Sequence, residues 1–317
     1  MKENSVKKKK IIIIVGPTAV GKTSLSLSLA KAVDGEIISG DSMQIYRNLN
    51  IGTAKVSKEE QKEIPHYLID EVDVTTSYAV SDFQKRARFL IEDISARGKV
   101  PIIVGGTGLY IESLLYDVTF GGSGENDLAF REAQEAIANE KGNLYLWEQL
   151  TNVDPVAAEK IHFNNRRRII RALEVYHVTG QPFFFFLSER KENELLYEAK
   201  IIGLTTEREE LYQRINLRVE QMFKVGLIEE AEWLYQQQLP DAQASRGIGY
   251  KELFPYFEKK VTLQEAKEAI QQNSRRYAKR QLTWFKNRLE HVEWWDLVAF
   301  PEDGKKVEIE VERFLKE

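Results

Sequence analysis

Residues 11–15, Ile-Ile-Ile-Ile-Val, run directly into Gly16-Pro17-Thr18-Ala19-Val20-Gly21-Lys22-Thr23, which satisfies G-x-x-x-x-G-K-[ST]. A β-branched run without polar alternation implies a parallel strand covered by helices on both faces. Leu25, Leu29 and Ala32 then recur at helical spacing, and Gly35 stands where a C-terminal cap is expected. The motif therefore sits between a buried strand and a helix, the setting its chemistry requires. In a chain of 317 residues a chance match has a probability on the order of 1%, and the flanks lower it further.

Glycines at both ends of such a loop let the backbone curl so that successive N–H groups and the positive helix end face one anion. Lys22 adds a full charge and Thr23 offers a hydroxyl to magnesium. The expected diphosphate-binding set is Gly16, Pro17, Thr18, Ala19, Val20, Gly21, Lys22 and Thr23. What carries the diphosphate is left open, because ATP, GTP and a prenyl diphosphate present similar oxygens.

Strand character returns at Glu36–Ser39, Val100–Val104 and Lys200–Leu204, with a helical pattern over Ser81–Arg97. Strands alternating with helices predict an α/β, doubly wound parallel sheet of the P-loop NTPase-like kind. The glycine-rich stretch Gly121–Gly124 opens a segment with little strand character, read as a helical insertion. The expected division is 1–120 for the first part of the core, 121–195 for the insertion, and 196–317 for the rest of the core with C-terminal helices. The acidic tail Glu302–Glu317 is expected to be surface structure.

The 43% hydrophobic content is that of a globular chain. With no cysteine, disulfides and Cys-ligated metals are excluded, and four scattered histidines do not suggest a zinc site. The apolar run after the basic start ends at Gly16-Pro17, too early for a secretory signal, and no stretch approaches a membrane span. A cytoplasmic location, no membrane partner and a monomer are expected. The net charge of −4 does not exclude a nucleic-acid partner, since binding depends on local fields.

Asp41 follows the second strand, at the sheet edge where open α/β folds bind ligands, and could act as a general base. A turn-forming or helix-capping aspartate fits that position equally well. Thr107 lies in Val104-Gly105-Gly106-Thr107-Gly108 at the end of the third strand, where a plain tight turn is the simpler reading. That strand lacks a terminal Walker B aspartate, although Asp70 in Leu68-Ile69-Asp70 could substitute. Arg166, Arg167, Arg168 and Arg171 form one basic run, and Arg275 to Arg280 another, with Arg276 and Arg280 on one helix face. Such runs are usually solvated; their functional reading is phosphate contact with nucleic acid. Trp284 and Phe285 belong to the core by helical spacing. Arg218 could bring a further guanidinium to a diphosphate.

The segments GPTAVGKT, DSMQIY, IGTAK, VGGTGLY, RALEV, SRGIGYKEL and RQLTWF occur in this order over most of the chain, and together they resemble the bacterial tRNA dimethylallyltransferase family. The resemblance implies a P-loop core with a helical insertion. It implies transfer of dimethylallyl from dimethylallyl diphosphate to the exocyclic N-6 amine of the adenosine 3′ to the anticodon, giving isopentenyladenosine. By position it implies a diphosphate site from Thr18 to Thr23 helped by Arg218, and Asp41 as base. It also implies tRNA contacts at Asp41, Ser42, Met43, Gln44, Thr107, Arg167, Arg168 and Arg171. Arg276 and Arg280 are added as tRNA contacts from their basic helix face. The expected catalytic group is Asp41, Lys22 and Thr107. Mg2+ is the expected cofactor, with Thr23 as its protein ligand, and the anticodon stem-loop of tRNA the macromolecular partner. Three departures from the family pattern, Tyr67, Asn165 and Val56, leave His66 and Asn165 without assigned roles. The rival readings are a P-loop small-molecule kinase, prenylation of free AMP, and a nucleotide-dependent RNA-binding switch without group transfer.

Overall fold

The computed structural model describes residues 8–116, 127–186 and 195–317. Contacts gather the chain into two units, Met1–Leu115 with Leu195–Glu317, and Tyr116–Glu194. The glycine-rich stretch 121–124 and residues 187–194, near the end of the expected insertion, lie outside the described residues.

The first unit begins with β1 (Lys10–Val15), α1 (Lys22–Ala32), β2 (Gly35–Ser39), α2 (Lys58–Glu63), β3 (His66–Tyr67), α3 (Val80–Ala96), β4 (Val100–Gly105) and α4 (Gly108–Leu115). Ile11 to Val15 have no exposed surface, which is what a run without polar alternation requires when both faces are covered. Helix α3 shows the contrasting pattern: Phe83, Ala87, Leu90, Ile91 and Ile94 are buried at helical spacing and the rest faces outward. The expected cap at Gly35 is displaced. Gly35 is the first residue of β2, and Asp34 takes the positive φ of 53° that turns the chain after α1. A Cβ at Gly35 would come within 2.6 Å of the Ile102 side chain, so this glycine serves close strand packing.

The second unit contains α5 (Leu128–Lys141), α6 (Asn143–Val153), α7 (Pro155–Lys160), α8 (Arg166–Thr179) and α9 (Phe183–Phe186) around their own apolar cluster, including Leu146, Leu150, Ile169 and Ile170. No strand interrupts it among the described residues.

The chain returns to the first unit through β5 (Glu198–Leu204), α10 (Arg208–Lys224), α11 (Leu227–Gln236), α12 (Phe254–Phe257), α13 (Leu263–Arg288), β6 (Val292–Trp295) and α14 (Asp303–Lys316). The six strands form one sheet, ordered β3-β2-β4-β1-β5-β6 and parallel throughout. Central β1 aligns Ile12 with Ile102 of β4 and Ile13 with Ile201 of β5. The tail expected to be surface structure is instead docked: Val307 and Val311 of α14 are buried in the cluster that holds Leu25 and Leu29 of α1. Burying each valine contributes roughly 1.5–3 kcal/mol. The doubly wound expectation is met by this helix-covered parallel sheet, and the carboxyl ends of β1, β2 and β4 bring three loops together.

Candidate active site

After β1 the chain curls through positive φ at Gly16 (146°), Ala19 (68°) and Gly21 (95°) before α1 starts at Lys22. Thr18, Ala19, Gly21, Lys22 and Thr23 line a cavity of about 780 Å³. Lys22 Nζ donates to the carbonyls of Gly16 at 3.0 Å and Pro17 at 2.5 Å, so it lies over its own loop. The accessible part of Lys22 faces this cavity, and the surrounding protein desolvates the ammonium. Burial brings it down from 10.5 to about 7, Arg218 pushes the same way, and Asp41 partly opposes them.

Asp41, Ser42, Met43 and Gln44 follow β2 and line the same cavity. Asp41 combines the two readings its position allowed. Its Oδ1 accepts the Met43 N–H at 2.8 Å, forming a local turn, while the carboxylate still borders the cavity. The Gln44 amide is committed internally: its Oε1 accepts from Ser39 Oγ at 2.9 Å, and its Nε2 donates to the Thr53 carbonyl at 3.2 Å. Gln44 thus braces the wall that the 53–54 loop provides. That loop is anchored in turn by Glu230, whose carboxylate accepts the N–H groups of Asn50, Ile51 and Gly52 and the Tyr250 hydroxyl.

The loop after β4 brings Thr107 alongside. Its Oγ1 accepts the Ser42 N–H at 3.0 Å and donates to Ser42 Oγ at 3.3 Å, which ties the two loops together. The glycines around it permit close approach. A Cβ at Gly106 would stand 2.1 Å from Gln281 Nε2, and one at Gly108 would stand 2.2 Å from the Trp284 ring. Trp284 therefore packs half-buried against the start of α4, and Phe285 is fully buried, as helical spacing implies.

Helices α10 and α13 close the cavity. Arg218 lines it; burial lowers its guanidinium, against an upward pull from Asp41. Arg214, one turn earlier, donates to the Ala19 carbonyl at 2.9 Å and holds the tip of the first loop. From α13, Tyr277, Arg280 and Gln281 reach the cavity. Sequence reasoning singled out Arg218 and Arg280 but not Arg214, Tyr277 or Gln281. The available signal was the repeat at i, i+4, which gives each pair one helix face: Arg214 with Arg218, and Tyr277 with Gln281.

Other sequence candidates lie elsewhere. Arg276 is exposed and does not line the cavity. Arg167, Arg168 and Arg171 are on α8 in the second unit, the first two exposed. Arg171 Nη1 contacts the Glu174 carboxylate at 2.7 Å, and that side chain is wholly buried. Arg166 is held by Asn143 and Asn139 at 2.6 and 2.7 Å. Asp70 is no Walker B substitute, because Lys55 and Lys58 occupy its oxygens at 2.6 and 2.8 Å. His66 lines the cavity, donates Nδ1–H to the Ile64 carbonyl at 2.7 Å, and is lowered by burial. Asn165 is the N-cap residue of α8 and makes no side-chain cap bond.

Among the described residues no three acidic or histidine side chains converge as a metal cage. The Thr23 hydroxyl at the cavity wall suits the other way magnesium binds, mostly through phosphate oxygens and water. Nor is any helix, among the described residues, long and apolar enough to cross a membrane.

The chain is similar in sequence and fold to known proteins. The family model for IPP transferase matches residues 44–288. A tRNA dimethylallyltransferase of Enterococcus faecalis is 54% identical over 309 residues, covering 97% of this chain and 98% of that one. One from Bacillus cereus is 53% identical over 311 residues, covering 98% and 96%. The tRNA isopentenylpyrophosphate transferase of Bacillus halodurans superposes with a TM-score of 0.72 at 46% identity, covering 98% of this chain and 97% of that one. A eukaryotic dimethylallyltransferase acting on tRNA gives 0.77 at 32% identity, covering 90% and 74%.

Proposed function

Because this chain belongs to the IPP transferase family, we propose that it transfers a dimethylallyl group from dimethylallyl diphosphate to the N-6 amine of the adenosine 3′ to the anticodon of tRNA. One observation supports the reading most directly: a single cavity is bordered by the phosphate-type loop, by Lys22 and Arg218, and by the Asp41 carboxylate. Cations and loop amides suit a departing diphosphate, whose oxygens gain charge as the allylic carbon–oxygen bond breaks. Asp41 suits the amine, accepting its proton as the carbon–nitrogen bond forms.

Magnesium, held by the Thr23 hydroxyl and the diphosphate, would supply further neutralisation of the leaving group. The adenosine must leave the anticodon stack to enter such a cavity, and its base would lie beside Ser42, Met43 and Thr107. Exposed Arg167, Arg168, Arg276 and Arg280 suit contacts to tRNA phosphates.

The test is incubation of the protein with magnesium, unmodified tRNA and radiolabelled dimethylallyl diphosphate, with ATP in a parallel reaction. Label retained in tRNA without ATP is expected. ATP turnover with no label in RNA would favour a kinase or a nucleotide-dependent switch, and label in free AMP would move the acceptor from tRNA to nucleotide.

A further inference from the structure

Two loops that leave the paired strands β1 and β4 side by side must be held at one spacing if a group is to pass between what they bind. The first, Gly16 to Lys22, suits the diphosphate; the second, Gly105 to Gly108, carries Thr107 beside the Asp41 turn. Helix α13 touches both with side chains one turn apart. Gln281 is only 5% exposed; its Oε1 accepts the Thr18 N–H at 3.2 Å and its Nε2 donates to the Gly106 carbonyl at 2.9 Å. The two backbone partners fix the orientation of the amide, since an N–H requires the oxygen and a carbonyl requires the NH2. Tyr277, one turn earlier on the same face of α13, lines the cavity beside them, near Thr107 and Gln281. Thr107 continues the connection to Ser42, next to Asp41.

We propose that Gln281, supported by Tyr277, is the positioning residue that sets the distance between the diphosphate loop and the acceptor loop. The proposal rests on the transferase reading. Gln281 and Tyr277 act on the reaction through the loops: Gln281 holds backbone groups of both, and Tyr277 packs beside it at the cavity wall. An apolar side chain would fill the same volume, so packing alone does not call for an amide there. The Gly106 carbonyl is buried against it and the Thr18 N–H half-buried, and removing the amide leaves each without its partner. Bond formation needs the reacting atoms within about 3–3.5 Å, and a misplacement near 1 Å can lower the rate about a hundredfold. Burial raises the Tyr277 phenol above its usual range, so it remains a neutral hydrogen-bonding group at working pH.

The experiment compares the full-length wild type with Gln281→Met and Tyr277→Phe. It measures kcat and KM for label transfer to tRNA, inorganic diphosphate affinity by calorimetry, and Tm. Gln281→Met should lower kcat about 10- to 100-fold, with KM for tRNA and diphosphate affinity within about threefold of wild type. Tyr277→Phe keeps the ring and should lower kcat about 3- to 10-fold with Tm unchanged. The double variant should be little worse than Gln281→Met alone, because the two residues act on one spacing. Wild-type kcat in both single variants overturns the inference, as does loss of kcat, affinity and Tm together, which marks a merely structural role. If Gln281→Met does not fold, Tyr277→Phe decides by the same criterion. A wild type that transfers no label fails the transferase reading itself, an outcome distinct from active wild type with unaffected variants.

Discussion

The cations of the two units obey different physics. In the second unit four arginines of α8 are close in sequence, yet Arg166 is absorbed by Asn143 and Asn139, Arg171 is bound to buried Glu174, and Arg167 and Arg168 are exposed. In the first unit Lys22 and Arg218 are 196 positions apart, and burial lowers the proton affinity of both in one cavity. A run of charge therefore says little about binding until helix periodicity divides it, whereas a buried arginine and a desolvated lysine in one cavity suit an anion that neutralises both. Charge in the cavity should govern chemistry and diphosphate affinity; charge on α8 should govern stability or salt-dependent RNA contact.

The contrast is tested most severely by Asp41→Asn. The amide still accepts the Met43 N–H but cannot take the proton, so single-turnover transfer should slow about 10²- to 10⁴-fold with diphosphate affinity nearly unchanged. Equal loss of both would make Asp41 a structural turn residue. Next is Lys22→Met, which should weaken diphosphate binding about 10- to 100-fold by titration calorimetry; a change below threefold would remove Lys22 from the site. Arg171→Ala should cost about 1–3 kcal/mol in denaturant unfolding, because Glu174 loses one of its partners. Arg167→Ala with Arg168→Ala should leave stability intact and flatten the salt dependence of tRNA binding by about one unit of slope per arginine. The reverse pattern would dissolve the distinction within α8.

The smallest effect is protonic. Lys22 titrates near 7 in the free protein, so above that pH it is mostly neutral, and binding a diphosphate should draw a proton onto it. Calorimetry in buffers of different ionisation enthalpy should show proton uptake on binding at pH 8 that declines as the pH falls below Lys22's titration. No buffer dependence at pH 8 would mean that Lys22 stays charged.

How much of this was legible in the sequence depended on how far each signal reached along the chain. The β1–loop–α1 unit is local, so the motif and its flanks were sufficient. Strands β2, β4 and β5 were readable as buried apolar runs. Strand β3 is two residues long at the sheet edge, and β6, Val-Glu-Trp-Trp, is short and follows a 26-residue helix, so neither carries a periodic signature. Charged residues hid the two valines that dock α14. Asp41, Gln44 and Thr107 were placed at the right edge, but hydrogen bonds to residues 43, 39 and 42 depend on loop geometry that no spacing rule supplies. Tyr277 and Gln281 were missed because polar residues on a basic helix read as solvated; only the folded position of α13 turns that face inward.

The sheet order also has a meaning in time. Strand β1 is completed on one side by β4, about a hundred residues later, and on the other by β5, nearly two hundred residues later. A ribosome that has released the first 115 residues has exposed a partial sheet whose edge is the Ile-Ile-Ile-Ile-Val strand, and it must synthesise the entire second unit before that edge is covered. Such an edge is a template for pairing with another chain. The insertion thus imposes an interval during synthesis in which the most apolar strand of the molecule is open on one side, and a chain interrupted before residue 198 would retain that aggregation-prone edge.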